Sequence, residues 1–148
     1  MVHGRWAIVD GRRGMRHAFS TCMKAKNLED VIVHREAEEA ADAVSALLNR
    51  PAFRKDFDLT DQLSRSASRI PPLIAEGFGQ LTDKHVAVYL GRARGAAFET
   101  KSHLRKAAGK EFISQAEYRR LTDQYDVIGK RLTRWIGYLK RSNWKNRG

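Results

Sequence analysis

The chain has 148 residues, 42% of them hydrophobic, and a net charge of +11 with a pI near 10.2. That length fits one domain with a packed core, and no run approaches the roughly 18 apolar residues of a membrane span. A single cysteine, Cys22, excludes an internal disulfide framework, which together with the lack of a secretory apolar core points to a reducing cytoplasm.

Residues 1–26 are rich in Gly, Arg and Lys, sustain no period, and read as a basic, disordered tail. Met23 is an alternative start just before the ordered pattern. A first helix is expected over Asn27–Asn49, with Asn27 as N-cap, Glu29 and Asp30 in the first turn, and Pro51 as the stop. Its apolar face is read as Leu28, Val31, Ile32, Ala40, Ala41, Val44, Leu47 and Leu48.

The second helix, about Asp58 to Glu76, holds the most informative stretch. Pro71 and Pro72 should end it, because proline inside a helix costs roughly 3 kcal/mol or more. Yet Leu59, Leu63, Ala67, Ile70 and Ile74 keep step across the break, so tertiary packing rather than propensity must hold the segment. Asp58 is a possible cap, and Gly77 and Gly79 release the chain.

A third helix, about Thr82 to Ala108, is capped by Thr82 or Asp83 and stopped by Gly109. Val86, Tyr89, Leu90, Ala93, Ala97, Thr100 and Leu104 form its stripe. Gly91, Gly95 and Ala96 would let another backbone approach, and are expected to form an oligomer interface. The fourth helix opens with a capping box, Ser114 to Glu117. Tyr118, Leu121, Tyr125, Ile128, Leu132, Trp135 and Leu139 then follow at alternating spacings of three and four, the heptad seam of left-handed packing. No strand alternation is visible. Four long helices with short connections predict an all-α, up-down-up-down four-helix bundle over residues 27–141, with a basic tail over 142–148.

The charge is uneven. Residues 27–49 carry six acids against Arg35, whereas residues 84–148 carry sixteen bases against five acids. After Asp126 every charged residue is basic: Lys130, Arg131, Arg134, Lys140, Arg141, Lys145 and Arg147. Such a one-signed field attracts a polyanion or an acidic protein surface, or serves solubility alone.

At Leu59, Gln62, Leu63, Arg65, Ala67, Ser68, Ile70, Pro71 and Ile74-Ala75-Glu76-Gly77-Phe78-Gly79 the chain resembles the four-helix-bundle family related to bacterial 23S rRNA intervening-sequence proteins. That group includes the accessory variability determinant of diversity-generating retroelements. Tyr89, Leu90, Ala93, Arg94, Gly95, Ala96, Glu99 and Leu104 match its third-helix pattern, and the resemblance spans residues 27–141. Leu73 stands where the family usually has Asn, and Gln80 where it has a basic residue. The resemblance implies a cytoplasmic homopentameric ring without enzymatic activity. It also implies, by analogy with the retroelement member, a basic scaffold for nucleic acid and a reverse transcriptase.

Catalytic chemistry finds little support. Glu99 and His103 are four apart, but the Glu-x-x-His repeats of di-iron bundles are missing, so no metal or cofactor is expected. Cys22 and His17 share the tail without a patterned partner, and Gly77-Phe78-Gly79-Gln80 lacks the lysine of a phosphate loop. Arg65, Arg69, Glu76 and Glu99, the charges that coincide with the family pattern, are read as a buried ion network fixing helix register, in which Arg65 would pair with Glu99; the alternative is a recognition site. At the basic end Trp135 belongs to the seam. Tyr138 and Trp144 lie off it and could stack on bases, while Arg134, Lys140, Arg141, Lys145 and Arg147 meet phosphates. The expectation is an oligomeric bundle binding RNA or DNA, or a nucleoprotein. The alternative is a scaffold for an acidic protein.

Overall fold

Pro71 and Pro72 lie inside one continuous helix. The computed structural model describes residues 31–145 together with Arg5–Trp6, Lys24–Ala25 and Leu28, with side chains described at Leu28 and from Val31 to Arg141. Its helices are α1 (Ile32–Leu48), α2 (Phe57–Phe78), α3 (Asp83–Gly109) and α4 (Gln115–Lys145), with a 3-10 turn at Pro51–Lys55. The fold class is all-α. A two-residue strand β1 (Arg5–Trp6) pairs antiparallel with β2 (Lys24–Ala25), too short to leave an alternating pattern in the sequence. The rest of residues 1–26, expected as a disordered tail, lies outside the described residues.

Within α2, Leu59, Leu63, Ala67, Ile70 and Ile74 are all buried, so the register holds across both prolines. Pro71 is itself buried and Pro72 faces outward. Leu73, the departure from the family pattern, packs against the core. Gly77 does not release the chain. It is buried one residue before the end of α2, and a Cβ there would stand 3.0 Å from the Tyr89 Cβ and 3.6 Å from the Val86 carbonyl oxygen. Glycine there lets α2 approach α3 closely.

The helix ends differ from expectation in ways the geometry explains. α1 begins five residues later than Asn27, at Ile32. Val31 takes the cap position without a side-chain bond. Its buried face includes Val33 and Ala37, while Ile32 is half-buried. The cap of α2 is Asp56, not Asp58: its Oδ1 accepts from the Leu59 N–H at 3.0 Å, and the carboxylate bonds Lys110 at 2.7 Å. Both contacts hold the Asp56 carboxyl below its usual range. Thr82 caps α3 as expected, accepting from the His85 N–H at 3.3 Å.

α3 runs through Gly109 and ends in a Schellman motif. The Phe112 N–H donates to the Ala107 carbonyl and the Glu111 N–H to that of Ala108, both at 3.0 Å. The left-handed residue is Glu111, at φ 60°, where glycine is the usual occupant. Phe112 then packs edge-on to Phe53, ring centres 5.4 Å apart.

Consecutive helices pack on each other and α1 also meets α4, closing the core. From Leu121 to Leu139 every seam residue of α4 is buried, Trp135 included. The capping box forms as read: Ser114 Oγ accepts from the Glu117 N–H at 3.1 Å, and Glu117 Oε2 accepts from the Ser114 N–H at 2.8 Å. The same carboxylate takes a two-pronged bond from Arg50, next to the end of α1. First the Arg50 guanidinium and then the Ser114 N–H lower the Glu117 carboxyl from 4.5 to about 2.

These contacts set three expectations for stability. A depressed carboxyl stabilises the fold fully above its free value, and the contribution disappears as pH falls from 4.5 towards 2. Glu117→Gln is therefore expected to lower the neutral melting temperature and to flatten the acid limb. Melting curves of the two proteins running parallel from pH 6 to pH 2 would contradict this. Glu111→Gly is expected to raise unfolding stability by about 1 kcal/mol, because the left-handed strain disappears. Gly77→Leu is expected to lower it by about 1–3 kcal/mol or more through overpacking. Urea unfolding measures both.

Candidate nucleic-acid interface

The ion pairs sort the cations into those occupied inside the bundle and those left outside it. Arg131 on α4 reaches Glu36 on α1 at 2.8 Å, with side chains 15% and 27% exposed. Lys101 on α3 pairs with Asp126 on α4, and Arg69 on α2 meets Glu99 on α3 at 2.7 Å. The expected Arg65–Glu99 pair is absent. Arg65 lies one helical turn from Asp61 and bonds it at 2.9 Å in the open, while Glu99 faces Arg69.

The network is thus exposed rather than buried. Arg69 and Glu99 keep about half their side-chain surface, and Glu76 is exposed. A pair in that setting contributes little, since water and salt screen it. The most enclosed cross-helix pair described is Glu36–Arg131, whose separation of 95 residues carries no local sequence signal.

Among the described residues, Arg94, Lys130, Arg134, Lys140 and Arg141 have no ion-pair partner, and all five are exposed. Lys130, Arg134 and Arg141 recur at helical spacing on one side of α4. Arg94 on α3 donates from Nε to Thr133 Oγ1 on α4 at 2.9 Å. Between α3 and α4 runs a groove in two parts that share Arg94 and Thr133. The larger part, about 740 Å³, is lined by Val88, Gly91, Ile136 and Leu139 with Lys84 and Lys140 nearby. The smaller is lined by Phe98, Tyr125, Lys130 and Arg134.

Of the basic end read from the sequence, Arg134, Lys140 and Arg141 stand on this face. Tyr138 is half-buried against the core and is no free stacking platform. The side chains of Trp144, Lys145 and Arg147 lie outside the described residues, as do Cys22 and His17. Gly91 and Gly95 are exposed, and a Cβ at either would meet nothing within 4 Å. Ala96 is buried in the core of its own bundle and so does not share their exposed face. The open stripe instead joins Gly91 and Gly95 to Val88 and Phe98, which are 45% and 52% exposed.

Phe98 was the residue to find. It lies off the apolar stripe of α3 with Arg94 four residues before and Lys101 three after, a spacing that puts cations beside a stranded ring.

Among the described residues, buried polar atoms without a hydrogen-bond partner include the Tyr125 hydroxyl, the Trp135 indole N–H and both His103 ring nitrogens. Burial pushes the Tyr125 phenol well above its ordinary value, so it stays protonated. Glu99 Oε1 lies 3.6 Å from His103 Nε2. Among the described residues no group of three or more His, Cys, Asp or Glu is placed to hold a metal ion, and no helix is long and apolar enough to cross a membrane.

These features define a class: a four-helix domain with a basic face along two neighbouring helices. The chain belongs to the 23S rRNA-intervening sequence protein family, whose profile matches residues 29–134. The fold is also that of a protein of unknown function from the S23 ribosomal protein family of Bacteroides thetaiotaomicron. Its crystal structure superposes with a TM-score of 0.65 at 24% identity, over 71% of this chain and 98% of that one. No curated protein matches the chain.

Proposed function

We propose that this chain is a non-enzymatic, oligomeric bundle that binds nucleic acid, or a nucleoprotein, through its basic α3–α4 face. One observation carries the reading: Arg94, Lys130, Arg134, Lys140 and Arg141 are exposed and without an acidic partner among the described residues. α1 packs on α2 and α4, so the exposed acids Glu38, Glu39 and Asp42 sit on the helix diagonal to α3 and leave the basic field uncancelled. The family's association with 23S rRNA intervening sequences and the relative's with ribosomal proteins are in keeping with an RNA context.

The bundle runs up-down-up-down in this reading, supported by pairs whose numbers rise on one helix as they fall on the next: Arg94–Thr133 then Lys101–Asp126. Copies associate in the cytoplasm through the apolar end of the α3 stripe, where Leu81 is 93% exposed and Val88, Gly91 and Gly95 lie open. The family resemblance suggests a pentameric ring. Assembly multiplies the cations offered to one polyanion and raises avidity.

The test of binding is fluorescence anisotropy with labelled RNA and DNA across a salt series. Each phosphate contact adds roughly 0.7–0.9 to the salt slope, so replacing Arg134, Lys140 and Arg141 with Ser should weaken binding and cut the slope by roughly 2. Unchanged affinity would move the site elsewhere. Failure of the intact protein to bind at low salt would favour an acidic protein, a reverse transcriptase included, as the partner.

Assembly is tested by light scattering. Because a side chain at Gly95 meets open space within its own chain, Gly95→Leu leaves the bundle folded and is expected to shrink the oligomer. A 16.9 kDa monomer from the intact chain at micromolar concentration would end the oligomeric reading.

A further inference from the structure

Phe98 is an aromatic side chain that the core does not enclose. The Arg94 guanidinium carbon lies 4.9 Å from its ring centre and Lys101 Nζ lies 5.1 Å from it. Both cations are tethered to α4, Arg94 by Thr133 and Lys101 by Asp126, so they hold their places beside the ring. Opposite, α4 presents Gly129, where even a Cβ would reach Phe98 Cε2 at 3.9 Å. A side chain any larger would fill the space. What remains is a groove of about 310 Å³, with Tyr125 in its wall and Lys130 and Arg134 among its lining residues. The volume is at the low end for small-ligand sites, roughly 300–1,000 Å³.

Four cations against one carboxylate, Asp126, give this groove a net charge of about +3, counted from its lining residues. Its ligand should be anionic, and should also carry a flat π-face to cover the ring. A nucleotide has both. In a duplex the base faces are already stacked on their neighbours, so only phosphates remain available. An unpaired base can leave its stack and offer its face.

We propose that the Phe98 groove binds an unpaired nucleotide of a single-stranded segment. The base stacks on the Phe98–Arg94 pair, and the flanking phosphates meet Lys130 and Arg134. The inference rests on the nucleic-acid reading above and sharpens it from a charged face to a single-strand site. It places the stacking platform in the middle of α3 rather than at the C-terminal aromatics.

The experiment compares a labelled unpaired RNA with a duplex of equal charge, using the full chain and fluorescence anisotropy. The intact protein should prefer the unpaired strand. Phe98→Ala should weaken that binding roughly 5- to 100-fold while leaving duplex binding unchanged. Phe98→Tyr should retain the preference. A strand abasic at one position, but with all its phosphates, should bind the intact protein more weakly than the normal strand. Light scattering and circular dichroism should show Phe98→Ala assembled and folded, as expected for an exposed position. Should it fail to fold, the abasic strand and Phe98→Tyr decide the matter.

Wild-type affinity of Phe98→Ala for the unpaired strand, with loss of affinity on replacing Arg134, Lys140 and Arg141, would overturn the stacking site and leave the charged face standing. No binding of any RNA or DNA by the intact protein would remove both.

Discussion

At Gly77 the backbone of α2 comes so near α3 that one added carbon would sit 3.0 Å from the Tyr89 Cβ. This close approach lies in the contact between α2 and α3, which with that between α3 and α4 is far more extensive than either contact of α1. It also sets the rotation of α3. With Val86, Leu90, Ala93, Ala97 and Leu104 turned inward, Val88, Gly91, Gly95 and Phe98 have to turn outward. The groove against α4 is therefore a by-product of which side of α3 is buried in the bundle.

The ion pairs belong to the same arrangement. Cations that face acids on neighbouring helices are occupied: Arg50 by Glu117, Lys110 by Asp56, Arg131 by Glu36 and Lys101 by Asp126. Acids are few in the second half of the chain, so Arg94, Lys130, Arg134, Lys140 and Arg141 stay without an acidic partner among the described residues. Structural and recognition charges thus differ only in what stands opposite them, which is a property of helix packing and not of residue type.

That distinction also marks how far the sequence could be read. The seam of α4, the capping box at Ser114 and the register of α2 through its prolines all depend on spacing within one helix, and spacing is written in the chain. The start of α1 at Ile32, the cap at Asp56 and the left-handed Glu111 depend on how the chain enters or leaves a packed helix, so nearby Asn27, Asp58 and Gly109 were plausible substitutes. The Arg65–Glu99 pair failed for a simpler reason: Asp61 lies one turn away from Arg65. Of the site, the cations of α4 were legible as a charge run. Phe98 falls off the apolar stripe of α3 and so leaves no periodic signal, and the half-burial of Tyr138 against the core is not written in its spacing along α4.

The two prolines have a consequence for the way the chain acquires its structure. Neither can donate to the carbonyl four residues earlier, at Ala67 or Ser68, so the hydrogen-bond ladder of α2 is interrupted at two successive rungs. In an isolated peptide of this sequence the helix would propagate poorly from Phe57 past Ile70. The turns beyond the interruption, including the Gly77 seat, rely on packing to stay helical, with Ile74 fully buried in the core. Secondary structure and packing are thus coupled in the second half of α2, which makes the middle of the bundle depend on its tertiary contacts for its helix.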